Sequence, residues 1–344
     1  MPPELATGWD IGGAHLKVAQ VDAAGGVRTA LQVPCPLWRG MEHLDRAFIA
    51  ARAAILPSRR HGLTMTGELT DLFADRVQGV SRLVQAMRTA FADAELRVYA
   101  GSAGFVSVPD AERHAREIAS ANWHASARFV ASRCASGLFV DIGSTTTDLV
   151  PFANGDVRAE GLTDGERLVT GELRYTGVTR TPVMAMAQVV PFADRTHPLM
   201  AELFATAADV HRLTGALPGD ADQHPTADGR GHGVEESAAR LARMLGLDRV
   251  SGDVASWQRV ARHLSEVQLR FIEEGAGRVL ARAGIDPAAP VVGAGVGRFL
   301  TVALAQRLER PYIDFATLID AAVEVREWAA RCAPAVAIAA LVAA

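Results

Sequence analysis

Twice in this chain an apolar strand runs into Asp-Ile-Gly, followed by a short polar turn and a second apolar strand. The first copy is Trp9-Asp10-Ile11-Gly12-Gly13-Ala14-His15-Leu16-Lys17, and the second runs from Leu138-Phe139-Val140-Asp141-Ile142-Gly143 through Ser144-Thr145-Thr146-Thr147-Asp148. A repeated strand–turn–strand unit with acid and glycine in the same places predicts two related half-molecules. They would face each other across a polyphosphate.

The residue types suit that ligand. Glycine lets a backbone turn approach an oxyanion, and successive N–H groups then form an anion-binding concavity. Gly12, Gly13, His15 and Gly143 would supply the turn backbone, and Ser144, Thr145, Thr146 and Thr147 would add hydroxyl donors. Asp10 and Asp141, at strand ends, are placed to hold a hydrated Mg2+, which keeps several waters and takes few carboxylates. An Asx-type turn between buried strands would explain one Asp-Ile-Gly. It explains two less well.

Of the 35 Lys and Arg residues, only Lys17 is lysine, and it sits in the first of these turns. Lysine offers a compact point charge on a flexible stem, whereas arginine offers a planar fork. Lys17 is therefore a candidate phosphate contact, the alternative being a solvated strand residue.

The chain has 344 residues, 49% hydrophobic, with a net charge of −4. That length supports two domains with ample core. No basic stretch interleaved with aromatics is present, so nucleic acid is not an expected partner. Cys35, Cys134 and Cys332 are far apart and odd in number, which fits reduced thiols in the cytoplasm. No signal pattern opens the sequence, and the apolar stretch 333–344 is too short to span a bilayer and reads as a core helix. The expected partners are small molecules, a homo-oligomer being allowed.

Strand and helix patterns alternate. Strands are expected at 5–11, 16–21, 27–33, 63–66, from 96 to 99, and at 128–131, and helices at about 40–56, 77–92 and 111–119. The second half repeats the opening with strands at 138–141, 146–152 and after the Asn154-Gly155 turn. Helices follow at about 198–213, 234–246, 253–284 and 315–331. The order predicts two α/β domains with mixed sheets, 1–134 and 135–344, the last helix being free to pack back on the first. A third motif, Pro290-Val291-Val292-Gly293-Ala294-Gly295-Val296-Gly297-Arg298-Phe299, reads as strand, glycine turn and helix. Its GxGxG spacing is not the dinucleotide fingerprint. It could pack against a nucleotide or organic group, or be a tight connection only.

In this order the three motifs resemble the phosphate-1, phosphate-2 and adenosine elements of the actin/sugar-kinase/Hsp70 superfamily. The resemblance implies an α/β fold of two RNase-H-like domains with mixed sheets around a central phosphate cleft. A narrower resemblance covers almost the whole chain. Gly8–Val18, Met65-Thr66-Gly67-Glu68-Leu69-Thr70-Asp71, Ala121-Asn122-Trp123-His124, Thr170–Val178, Ala208–Gly215, Thr226-Ala227-Asp228-Gly229-Arg230 and Gly295–Leu300 are similar to the hydantoinase/oxoprolinase-like proteins of tetrahydromethanopterin-linked one-carbon transfer. An archaeal member makes a furan-methanamine in methanofuran biosynthesis, joining a furan-methyl diphosphate to a phenol oxygen and releasing diphosphate.

The resemblance implies a transferase in which the phosphate site stabilises a leaving group. Lys17, Ser144 and Thr145–Thr147 would hold the diphosphate, with Asp10 and Asp141 on Mg2+. Asp148 or Glu172 would accept the phenol proton, giving a catalytic set of Lys17, Asp141, Asp148 and Glu172. Gly293, Gly295, Gly297, Arg298, Trp123 and Asp228 are candidates for contact with a nucleotide or organic substrate, so ATP or a diphosphate ligand is expected. The alternatives are an ATP-dependent kinase or amide-ring hydrolase of the same fold, and a non-catalytic nucleotide-gated scaffold. The Asp- and His-rich loop 220–232 could be a substrate lid, a second metal site or a solvated loop.

Overall fold

The structure is a computed structural model that describes residues 4–344. Apolar β-rich segments build the first sheet from β1 (Leu5–Ile11), β2 (His15–Asp22), β3 (Val27–Pro34), β4 (Arg60–Met65), β5 (Glu95–Tyr99) and β6 (Phe105–Ser107), in the order β3-β2-β1-β4-β5-β6. The pairs β1–β2 and β2–β3 are antiparallel, whereas β4 and β5 add to β1 in parallel. In the second half come β7 (Ser136–Ile142), β8 (Thr147–Ala153), β9 (Asp156–Val157) and β10 (Leu173–Arg174). A separate hairpin, β11 (Val189–Phe192) and β12 (Arg195–Pro198), follows, and then β13 (Val291–Ala294) and β14 (Tyr312–Asp314). The second sheet runs β10-β8-β7-β13-β14, with β9 beside β8. Both sheets thus place an antiparallel hairpin beside parallel strands, so the sequence repeat is a repeat of architecture.

The helices are α1 (Glu42–Ala54), α2 (Arg76–Ala90), α3 (Ala115–Ile118), α4 (Asn122–Ala131), α5 (Asp164–Thr170) and α6 (Val183–Met186). They continue with α7 (Ala207–Thr214), α8 (Val234–Met244), α9 (Val254–Ala283), α10 (Arg298–Arg307), α11 (Val323–Arg331) and α12 (Ala333–Ala343). Two of them lie between the sheets. A core cluster joins Ala6, Ala19 and Val21 of the first sheet to Phe139, Val150 and Phe152 of the second, through Ala125 and Phe129 of α4 and Val336 and Ile338 of α12. Gly8 has no room for a β-carbon, which would overlap the Ala335 carbonyl and the Ala339 amide, so α12 lies directly on β1.

The opening hairpins form where the alternation places them. The segment expected as a strand at 128–131 is instead the end of α4. Phe129, Val130 and Ala131 are a short apolar run whose period is undecided by itself, and buried Trp123, Ala125 and Ala127 extend it as a helix. The helix expected at 111–119 shrinks to α3. The one expected from 198 begins only at Ala207, where Thr206 and Asp209 form a capping box. The one expected from 315 begins at Val323, after Ala321 bridges Val27 of the first sheet. The strand after Asn154-Gly155 is two residues long, with both turn residues at positive φ. All three cysteines are free. No helix among the described residues is long and apolar enough to cross a membrane.

Candidate active site

In the first hairpin the Gly12 amide donates to the His15 carbonyl at 2.9 Å, and in the second the Gly143 amide donates to the Thr146 carbonyl at 2.9 Å. The registers also correspond, with Asp10 opposite Lys17 and Asp141 opposite Asp148. Both turns open onto one cavity of about 660 Å³ between the two sheets. Asp10, Gly12, Gly13, His15 and Lys17 line it from the first hairpin. Asp141, Gly143, Ser144, Thr145, Thr146 and Asp148 line it from the second.

Lys17 Nζ lies 3.6 Å from Asp10 Oδ2. Burial alone would lower the lysine pKa, but the Asp10 and Asp141 carboxylates outweigh it and the net shift is upward. The ammonium is therefore charged. Burial raises the Asp10 pKa, with Lys17 and the Asn122 side chain opposing. Burial likewise pushes Asp141 up to about 7, reinforced by Asp148 and Asp10 and opposed by Lys17. Asp10 Oδ1 is buried and has no hydrogen-bond partner. An orphan carboxylate oxygen beside a second buried acid fits a cation ligand, so the residues present are compatible with Mg2+.

At the other side of the cavity, Arg167 Nη1 donates to Asp148 Oδ1 at 2.9 Å. The Arg167 guanidinium lies 3.9 Å over the Trp123 ring, which also lines the cavity. Burial raises the Asp148 pKa, with Arg167 as the opposing influence. Asp148 is thus a carboxylate of enhanced basicity, held in place by an arginine.

Other expected site residues lie elsewhere. Thr147 Oγ1 donates to the Thr176 carbonyl at 2.7 Å and does not line the cavity. Glu172 is buried outside it, accepting from the Glu160 and Gly161 amides at 2.7 and 2.9 Å and from Thr170 at 3.0 Å. Its carboxylate has a structural role and is not placed to take a substrate proton. Asp228 pairs with buried Arg240 at 3.0 Å, and Arg240 also pairs with Asp209 at 2.7 Å, so Asp228 fastens its own loop.

The third glycine turn is a tight connection. The Gly295 amide donates to the Ala330 carbonyl at 3.0 Å, the Gly297 amide donates to the Ile142 carbonyl at 2.8 Å, and Gly293 packs on Tyr312. Arg298 pairs with Asp314 at 3.1 Å and Glu327 at 2.6 Å. None of these four lines the main cavity.

The loop 220–232 crosses between the sheets. Asp220 accepts from Arg331 at 2.7 Å, Gln32 donates to Gln223 at 3.1 Å, and His224 Nε2 lies 3.1 Å from the Ala14 carbonyl. Among the described residues no group of three or more His, Cys, Asp or Glu side chains is placed to hold a metal. The loop is a strap. Burial leaves His15 neutral, its pKa well below the usual histidine value.

Several cavity residues carry no signal of their own in the sequence. Trp38, Ser120, Asp164, Tyr175 and Arg180 reach the wall from separate loops and helix ends. Of the other cavity residues, Thr66, Leu69, Thr70 and Asp71, Asn122 and Trp123, and Leu173 with Tyr175 itself fall in stretches that drew attention by resemblance.

Against this geometry, the family model described as Hydantoinase/oxoprolinase matches residues 59–339. The chain belongs to the hydantoinase/oxoprolinase family. Within that family it is 30% identical, over 246 residues, to the (4-{4-[2-(gamma-L-glutamylamino)ethyl]phenoxymethyl}furan-2-yl)methanamine synthase of Methanocaldococcus jannaschii, covering 71% of this chain and 72% of that one. The fold of this hydantoinase/oxoprolinase protein is shared with solved structures at low identity. An acetone carboxylase in nucleotide-free form matches with a TM-score of 0.59 at 11% identity, covering 98% of this chain and 70% of that one. A ROK family glucokinase from Streptomyces griseus, in complex with glucose and AMPPNP, matches with a TM-score of 0.50 at 16% identity, covering 97% and 98%. The two-domain sugar-kinase-like fold expected from the motifs is the fold of this chain.

Proposed function

We propose that this protein is a transferase that joins a furan-methyl diphosphate to the oxygen of a phenol and releases diphosphate, in the assembly of a methanofuran-type cofactor. The observation that carries the reading is the shared cavity. Two phosphate-sized turns, a charged lysine and a carboxylate of raised basicity meet there with no other strong nucleophile. The relative's product name contains a phenoxymethyl-furan ether, the linkage such a reaction would create.

The step balances. The phenol oxygen forms a bond to the furan methylene as the bond from that carbon to the diphosphate oxygen breaks. The electron pair leaves with diphosphate, and the phenol proton goes to Asp148. Amides of the two turns, the hydroxyls of Ser144–Thr146 and the Lys17 ammonium neutralise the leaving group. Fixed donors of this kind cost no reorganisation in a water-poor cleft. Mg2+, held by Asp10 and Asp141, would add a second positive charge at the same oxygens. Trp123 is buried in the core between the sheets with Arg167 over one face, so its role is to hold Arg167 beside Asp148.

Of the third glycine turn, only Val296 borders open space on the Lys17 side. A void of about 20 Å³, bounded by Lys17, Ser144, Val296, Trp328 and Arg331, remains on that side. That holds about one water. The test is to mix a glutamyl-tyramine acceptor with the furan-methyl diphosphate and Mg2+, following diphosphate release and ether formation. ATP alone should give little or no hydrolysis. ATP cleavage in place of coupling would overturn the assignment, as would full activity of Asp10→Asn at limiting Mg2+.

A further inference from the structure

Arg180 is a cavity cation without an anion. Lys17 pairs with Asp10 and Arg167 with Asp148, but Arg180 has no acidic partner among the described residues, although it is half-buried at the cavity wall. Burial lowers its pKa, with only Tyr175 opposing. A desolvated guanidinium without a counter-charge costs stability unless something else supplies the charge.

Its position is fixed from both sides of the cleft. The Arg180 and Thr179 amides donate to the Ser144 carbonyl at 2.9 and 3.2 Å, and the Val178 amide donates to the Gly143 carbonyl at 3.0 Å. The backbone that carries Arg180 is therefore bonded to the second phosphate turn. Its guanidinium lies 4.5 Å over the ring of Trp38, from the first half of the molecule. The residue before Trp38 is anchored in turn, since the Leu37 amide donates to the Gly13 carbonyl at 3.0 Å. Arg180 thus ties one phosphate turn to the other, with its charge on the wall of the cavity between them. A planar fork stacked on a ring keeps its edge N–H groups free, and that edge suits the bidentate geometry of phosphate oxygens.

We infer that Arg180, stacked on Trp38, is a binding residue for the diphosphate group of the substrate and supplies a second fixed counter-charge beside Lys17, on the side of the second glycine turn. This rests on the proposed diphosphate chemistry and adds to it a residue that determines substrate class. A substrate carrying a terminal anion should gain from Arg180, and one with a neutral leaving group should not.

Inorganic diphosphate with Mg2+ is the probe, measured by calorimetry and by the ligand-induced shift in melting temperature. For Arg180→Gln the ligand-free protein should melt at or above the wild-type temperature, because a desolvated unpaired charge has been removed. Its affinity for diphosphate should fall about 10-fold or more, the effect of losing a charge-assisted contact. Arg180→Lys should recover part of that affinity, and Trp38→Leu should lose less than Arg180→Gln. Wild-type affinity in Arg180→Gln would overturn the inference while leaving the diphosphate site intact. So would a drop in the melting temperature of the ligand-free protein with affinity unchanged, since that marks a structural tether. Failure of the wild-type protein to bind diphosphate would overturn the site reading itself, and this inference with it.

Discussion

Glu68 reaches Asp164 through a single hydroxyl. Ser120 Oγ lies 2.9 Å from Glu68 Oε1 and 3.0 Å from Asp164 Oδ2, although a serine has one hydrogen to give. A proton on one of the two carboxyls would satisfy both contacts. Asp164 pairs with Arg76 at 2.8 Å, whereas Glu68 is almost fully buried without a basic partner, and burial pushes its pKa up to about 7. Glu68 is therefore the carboxyl that holds a proton to the higher pH, and the Ser120 hydroxyl joins it to Asp164 across the two halves.

A pH prediction follows. A carboxyl whose folded pKa is raised binds extra protons in the folded state, so its contribution to stability declines as pH rises from about 4.5 to about 7. His61, His124 and His211, buried neutral with pKa values of about 4, oppose this with stability that rises from pH 4 to 6.5. The two trends overlap, so the difference between variants is the clean readout. Glu68→Gln should gain stability relative to wild type as pH rises to about 7 and then level off, the gain being on the order of 3 kcal/mol. Urea denaturation at several pH values measures it, and a pH-independent difference would contradict the protonation of Glu68.

Asp148 and Glu172 should separate cleanly. Asp148→Asn should lower kcat by about 100-fold or more, the usual scale for a positioned base, and abolish the acid limb of the pH–rate profile. Glu172→Gln should leave that profile in place and instead cost stability, about 1–3 kcal/mol, because an amide nitrogen would face the Glu160 or Gly161 amide. Steady-state rates and thermal melts on both variants check the assignment.

Lys17→Arg should lose about 10-fold or more in turnover, because a fork cannot replace a point charge set between Asp10 and Asp141. Lys17 is the only lysine in the chain. Amine-reactive labelling of its peptide, followed by mass spectrometry, should fall when diphosphate and Mg2+ are bound. Equal labelling with and without ligand would remove Lys17 from the site.

Gly177→Ala should act on the second phosphate turn from behind. A β-carbon there would lie 2.6 Å from the Ser144 carbonyl oxygen and overlap the Thr145 amide. A displacement of about 1 Å at a reacting group can cost on the order of 100-fold in rate. That loss should appear in kcat, with the far-UV circular dichroism unchanged.

Both phosphate hairpins were legible because a strand has a period of two and a glycine turn a fixed chemistry. The same period explains one misplaced residue. Thr147 and Asp148 are adjacent on β8, so their side chains point to opposite faces, and only Asp148 meets the cavity. Glu172 and Asp228 were drawn in by their motifs, yet their partners, backbone amides for one and Arg240 for the other, are set by tertiary packing. Arg180, Asp164 and Trp38 were not legible at all. Each is an ordinary loop or helix-end residue until folding brings three distant segments to one wall.

The placement of α12 on β1 has a consequence for the order in which the protein can be made. Cys332 donates to the Leu31 carbonyl across 301 residues of chain, and the helix that begins just after it covers the face of the first sheet. While the ribosome is still extending the chain, the strand that carries Asp10 has an apolar side with nothing against it. Contacts so remote along the chain form late and slowly, and leave sticky surface exposed meanwhile. A nascent chain therefore carries the first hairpin with one face of β1 uncovered until residues 333–343 have emerged.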